Sequence, residues 1–233
     1  MSVGILLRLF FTFLFSPSAS FFPMSFFRRF RMEFSLAGQL PASELALPNF
    51  TLHPWRDDDA LAHAFVMHHG FCDEVDANLF FRTFCDRARC NELMAALGRL
   101  PELFRPGSSL CRIAPENLAD ALPEEGPLRK QARECFRVAL NEGVATSIGI
   151  PVGTVQVVLR DTKTAAIHNV VVLPQFRSLG IGRFLVLQAL HAAQQEGLQK
   201  ITLDVTAENR RAVKFYEKLG FLRARTIFRE VNF

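Results

Sequence analysis

QFRSLGIGRFLVLQAL, Gln175 to Leu190, reads as a turn running into a helix that opens on an arginine and two glycines. An ordinary helix start carries Ser, Thr, Asp or Asn, whose side-chain oxygen satisfies N–H groups that the helix leaves unpaired. No such cap stands directly before this apolar run. Gly180 and Gly182 also remove side chains where those N–H groups converge, so an anionic group can approach the positive end of the helix. The spacing fits neither GxGxxG nor GxxxxGK[ST], which weakens dinucleotide and P-loop readings. Taken alone, RxxGxG leaves a plain glycine turn open beside an anion site.

The surrounding elements give this turn its setting. GTVQVVLR (Gly153–Arg160), AAIHNVVVL (Ala165–Leu173) and KITLDVT (Lys200–Thr206) are strand-like runs rich in β-branched residues, and the last two flank a helix over about 180–197. A strand, helix and strand at this spacing form a βαβ unit with parallel neighbours. Near the start, RFRMEFSL alternates strictly: Phe30, Met32, Phe34 and Leu36 on one face, Arg29, Arg31, Glu33 and Ser35 on the other. That is the period of a half-buried strand with its arginines on the solvated face. NFTLHPW suggests a second short strand, and Asp57–Asp59 cap a helix through ALAHAFVMHHGF. A longer helix is expected from about Glu74 to Leu100. Residues 101–127 read as a loop around the apolar LCRI, and another helix is expected over about 128–142.

Composition narrows the class. The 233 residues are 49% apolar, enough for one domain with a sizeable core. The net charge of +4 is spread along the chain apart from FFRRFRM, so no nucleic-acid stripe is expected. Five cysteines without a CxxC pair point to reduced thiols and a cytoplasmic setting, and HHGFC lacks the tight ligand pairs of a zinc site, so no metal is expected. The apolar stretch Val3–Phe15 is too short to span a bilayer, which takes about 20 residues. A weak signal peptide, a peripheral anchor and an over-extended start with initiation at Met24 or Met32 stay open, the last being favoured. Residues 1–23 are accordingly read as an extension outside the fold and 24–233 as the domain, with 153–231 bearing the motifs. His63, His68 and His69 read as packing or surface residues.

After KITLDVT comes TAENRRAVKFYEKLGF, Thr206 to Phe221. Together with Val172-Leu173-Pro174 followed by Arg177, Gly180 and Gly182, this segment resembles the GNAT superfamily of acetyl-CoA-dependent N-acyltransferases. The likeness lies in the [QR]xxGx[GA] signature after a strand end, then Asn209, Tyr216 and the terminal Leu219-Gly220-Phe221 in the same order and spacing. It is specific over about residues 164–221.

The resemblance implies a single α/β domain with a central mixed, twisted sheet of about six to seven strands and helices on both faces. The sheet would splay between strands 164–173 and 200–206 to admit acetyl-CoA. Backbone groups of Val170, Val171 and Val172 would pair with the pantetheine arm, and an N–H near Val172 would face the thioester oxygen. N–H groups of Arg177, Ser178, Leu179, Gly180, Ile181 and Gly182 would hold the pyrophosphate, with the Arg177 and Arg183 side chains optionally adding charge. Asn209 would cap its helix or contact the cofactor. Tyr216, the only tyrosine beside 24 phenylalanines, resembles the general acid. A phenol of pKa about 10 can protonate a leaving thiolate whose acid lies near 8.5. Asp204 stands where some relatives carry a glutamate base, and Glu74 is an alternative base. The implied reaction is direct acetyl transfer to a primary amine by a monomer or homodimer, without a metal and without an acyl-cysteine. A non-catalytic acetyl-CoA sensor is the alternative; a membrane partner is not expected.

Overall fold

The computed structural model describes residues 25–40, 47–71, 82–122 and 126–231. Val3–Phe15, Met24, Cys72 and Glu74 lie outside them. The strands are β1 (Ser25–Ser35), β2 (Phe50–Pro54), β3 (Ser109–Ile113), β4 (Ile150–Leu159), β5 (Thr164–Val172), β6 (Lys200–Thr206) and β7 (Leu222–Val231). The helices are α1 (Ala60–Phe71), α2 (Arg87–Gly98), the single turn α3 (Leu118–Ala121), α4 (Pro127–Asn141), α5 (Ile181–Gln195) and α6 (Arg210–Lys218). All seven strands join one sheet in the order β2-β3-β4-β5-β6-β1-β7. Among the described strands, only β5 and β6 run parallel, as a strand pair joined through α5 must.

Helices cover both faces, and the alternation along β4 and β5 shows how. Thr154 Oγ1 lies 2.6 Å from His63 Nδ1 on α1, so Thr154 and its partner Val171 face α1. Gly153 instead approaches Ile181 and Leu185 of α5. With apolar residues buried toward both layers, β4 is enclosed from Ile150 to Val158. α1 is likewise buried nearly all round, between the sheet and α2, and His63 is fully enclosed with its ring stacked 4.0 Å from Trp55.

The helix expected from Glu74 to Leu100 differs. A 3-10 turn spans Arg82–Cys85, and Asp86 then starts α2 afresh, its Oδ1 accepting from the N–H groups of Ala88 (2.9 Å) and Arg89 (3.3 Å). A capping aspartate inside an apolar-periodic stretch marked that break. Among the described residues, no helix is long and apolar enough to cross a membrane.

The strand that alternates in sequence, β1, sits deep in the order, antiparallel to β6 on one side and β7 on the other. Met32 and Phe34 are buried, and the Phe34 ring meets Phe221 at 5.3 Å. The arginines on the opposite face are engaged with β6: Arg29 donates to the Asp204 carbonyl at 2.8 Å, and Arg31 to the Asp204 carboxylate. Reading them as a simple solvated face was therefore incomplete. Among the described residues, β7 pairs with no strand but β1. A chain beginning at Met24 is expected to keep the cooperative melting transition of the full chain, whereas one beginning at Met32 loses the residues opposite Arg225–Val231 and melts without cooperativity. Differential scanning calorimetry checks both; equal transitions would contradict this role for β1.

Candidate functional site

The sheet opens between β5 and β6. Parallel pairing ends at Ile167 with Leu203, although both strands continue. At that point β5 carries a bulge: Asn169 opposes Gln156 and Ile167 opposes Val157, which leaves His168 as the extra residue. An inserted residue bends the strand and raises its local twist. Beyond it, β5 follows β4 and leaves β6, and a cleft of about 270 Å³ fills the gap.

Among the described residues, no strand pairs with that edge of β5 beyond Ile167. The Leu173 N–H donates to the Val152 carbonyl at 2.9 Å, which sets the alternation. Backbone groups of Val171 and Leu173 turn toward β4, and those of Val170 and Val172 turn into the cleft. Past the strand, a 3-10 turn over Pro174–Phe176 leads to Arg177, Ser178 in a left-handed conformation (φ 67°), Leu179, and Gly180, also left-handed (φ 88°). A left-handed serine is strained by roughly 1 kcal/mol, and such outliers persist where the surroundings impose them. α5 then starts with no side-chain cap. The first N–H groups after Gly180 stand unpaired within the helix, as at any helix start.

Across the gap, Asn209 caps α6, its Oδ1 accepting from the Ala212 N–H at 3.0 Å. Tyr216 follows on the cleft side, its ring edge-on to Phe215 (5.1 Å between centroids) and Phe221 (5.7 Å). Phe221 rests in turn on Phe34, so β1 backs the tyrosine through one intervening ring.

Asp204 lines the same cleft, and both its oxygens accept from Arg31, at 2.8 Å from Nε and 2.9 Å from Nη2. The pair is bidentate and partly buried, and the carboxylate raises the Arg31 pKa. The guanidinium of Arg177 is engaged by two backbone carbonyls: Nε donates to the Val172 carbonyl (3.0 Å) and Nη2 to the Gly70 carbonyl (2.7 Å). Ser178, Ile181 and Gly182 lie on the cleft wall; Leu179 and Gly180 shape the turn beside it, and Arg183 is exposed on the first turn of α5.

Residues 105–221 match the acetyltransferase (GNAT) family, a span of half the chain. The chain belongs to the GNAT family. Over 59 residues it is 41% identical to an uncharacterised N-acetyltransferase of Methanocaldococcus jannaschii, covering 25% of this chain and 26% of that protein. It is 36% identical over 66 residues to the ribosomal protein bS18-alanine N-acetyltransferase of Salmonella typhimurium, covering 28% and 43%. The chain thus matches less than half the length of either relative. In fold it is similar to a GCN5-related N-acetyltransferase from Sphaerobacter thermophilus, with a TM-score of 0.56 at 18% identity, over 98% of this chain and 56% of that one.

In this GNAT fold, the cleft also has walls that sequence reasoning did not assign: Arg29 of β1, Gly70 and Phe71 at the end of α1, Phe84, His168 and Arg211. Only Arg211 carried a signal, standing two residues after the expected N-cap of α6. His168 accepts from Arg160 through Nε2 at 3.1 Å, since a guanidinium has only donors. Burial first, and the Arg160 charge second, push its pKa down to about 4. Burial, then the charge of Arg112, also holds the His63 pKa well below its usual value.

Both imidazoles are thus neutral in the folded protein, while unfolding returns them to about 6.5. Above that pH they do not affect stability; below it the unfolded chain binds the extra protons. Stability should fall as pH drops from about 6.5, by up to about 1.4 kcal/mol per pH unit for each histidine. Urea denaturation of wild type and His63→Gln between pH 7 and 4.5 checks the sign, the variant showing the shallower loss. Equal pH dependence in the two proteins would contradict the His63 assignment.

Proposed function

We propose that this GNAT protein is an N-acetyltransferase that moves the acetyl group of acetyl-CoA directly onto a primary amine. The observation that carries the reading is the facing pair of an uncapped α5 N-terminus and the open β5 edge, with Tyr216 on the opposite wall. Their chemistry fits acetyl-CoA. Its pyrophosphate suits the N–H groups of the turn from Ser178 through Gly182 and the helix start, the Arg177 N–H being donated to the Pro174 carbonyl at 3.2 Å. Its pantetheine amides suit the edge N–H and C=O groups of Val170. When bound, acetyl-CoA supplies the acetyl group already activated as a thioester.

The remaining steps belong to the chain's residues. The Val172 N–H, turned into the cleft, can donate to the thioester carbonyl as charge develops there. The Tyr216 phenol can protonate the departing thiolate. Asp204 places a negative charge on the same wall, which favours an incoming ammonium ion. Its bidentate partner Arg31 favours the ionised carboxylate and so weakens it as a base. We therefore assign it attraction of the amine, with proton loss to water.

For the acceptor we infer a peptide N-terminal amine. Two similar relatives are named for that chemistry, the Salmonella protein above and an N-alpha-acetyltransferase of Arabidopsis thaliana. The cleft lining also carries Arg29, Arg177 and Arg211 against Asp204, a balance that disfavours a polycation.

Thiol release from acetyl-CoA in the presence of short peptides with free N-termini measures the reaction. Tyr216→Phe is expected to lower kcat by about 100-fold or more while the calorimetric Kd for acetyl-CoA stays within about 3-fold. Full turnover by Tyr216→Phe would overturn the acid assignment. Tight acetyl-CoA binding by wild type without turnover on any amine would make the fold a sensor instead.

A further inference from the structure

Arg177 opens the glycine run, and the family resemblance would give its side chain to a phosphate. In the structure the guanidinium is committed elsewhere. Nη2 donates to the Gly70 carbonyl at 2.7 Å and Nε to the Val172 carbonyl at 3.0 Å. Among the described residues, each acceptor lies at the end of its own element. Gly70 is the penultimate residue of α1, and a helix provides no N–H for its last four carbonyls. Val172 stands on the β5 edge where β6 has departed. Two donors held in one rigid plane bind both carbonyls together, which a lysine ammonium does less selectively.

A second observation lies at the same contact. A Cβ on Gly70 would stand 2.2 Å from Val171 Cγ1, so the end of α1 lies flush on β5 because the residue there has no side chain. The next residue, Phe71, enters the cleft wall and stacks on Phe84, with centroids 4.8 Å apart and planes 14° apart. Phe71 and Phe84 stand on the α1 side of the cleft, opposite the Tyr216 helix. Whatever fixes Gly70 therefore also holds the neighbouring Phe71 in the aromatic wall of the cleft.

We propose that Arg177 is a positioning residue: its guanidinium fastens the end of α1 to the splayed edge of β5, so holding the Phe71–Phe84 wall, and does not bind the cofactor phosphate. The functional consequence rests on the cleft being the acetyl-CoA site, while the clamp itself does not. Loss of the guanidinium loosens α1 and impairs acceptor binding, leaving the pyrophosphate to backbone N–H groups that need no particular side chain.

The test uses the full chain as wild type, Arg177→Gln, Arg177→Lys and Gly70→Ala. Two readouts are calorimetric titration with acetyl-CoA and hydrogen exchange of peptides covering residues 62–71. In Arg177→Gln, exchange at the end of α1 is expected to quicken by about 10-fold or more. Acetyl-CoA affinity should stay within about 3-fold and the KM for the peptide amine should rise, with a smaller change in kcat. Gly70→Ala keeps the guanidinium and should reproduce the loosening; Arg177→Lys should fall between, and serves if the glutamine variant does not fold. A large loss of acetyl-CoA affinity with α1 exchange unchanged would overturn the proposal and make Arg177 a phosphate ligand. If wild type binds no acetyl-CoA, the functional reading fails, and quickened or unchanged exchange at α1 still decides the clamp.

Discussion

The separation of β5 from β6 at the His168 bulge is the constraint on which the rest of the site depends. Four residue pairs hold the two strands together, Thr164 with Lys200 through Ile167 with Leu203, and then the extra residue sends β5 along β4. An open sheet edge is usually a liability, because unpaired N–H and C=O groups invite another strand. Here that edge lies in a cleft between α1 and α6, where an extended amide-bearing ligand can use it. The left-handed backbone at Ser178 and Gly180 follows from the same geometry, since the chain must turn at once from the splayed strand into α5.

β1 makes the far wall of that cleft stable. Inserted between β6 and β7, it pairs Arg31 with Asp204 and supports Tyr216 through Phe34 and Phe221. The Arg31 and Asp204 pair is worth having there because both partners are partly buried, where losing one would leave the other charge uncompensated. The near wall depends on Arg177 and Gly70. The two sides of the cleft are thus set by residues from the first third of the chain acting on the β5–α5 and β6–α6 segments.

Much of this was legible where the physics is local. Strict alternation announced β1, β-branched runs announced β4, β5 and β6, and the sequence of the glycine turn announced a helix start without a side-chain cap at α5. The splay between β5 and β6 also followed from the family resemblance and stands in the strand pairing. Strand order did not declare itself, because an antiparallel partner about 170 residues away leaves no mark on RFRMEFSL. For that reason Arg29 and Arg31 read as solvated when they face β6 and its cleft. The Arg177 side chain was hidden similarly: its partner Gly70 lies 107 residues away, and a charged residue beside an anion site suggests a phosphate contact. The bulge escaped notice because AAIHNVVVL is apolar toward both faces of the sheet, which blurs the period that would reveal an extra residue.

Amide exchange in the bound state tests most directly whether the opened β5 edge and the α5 start together receive acetyl-CoA. With saturating acetyl-CoA, residue-level hydrogen exchange should show new protection at the cleft-facing amides of Val170 and Val172 and at the turn into α5, with Val171 little changed because it already faces β4. NADH at the same concentration should protect neither. Acetyl-CoA that binds without protecting Val170, Val172 or the α5 start, or that does not bind a folded sample at all, would contradict the account.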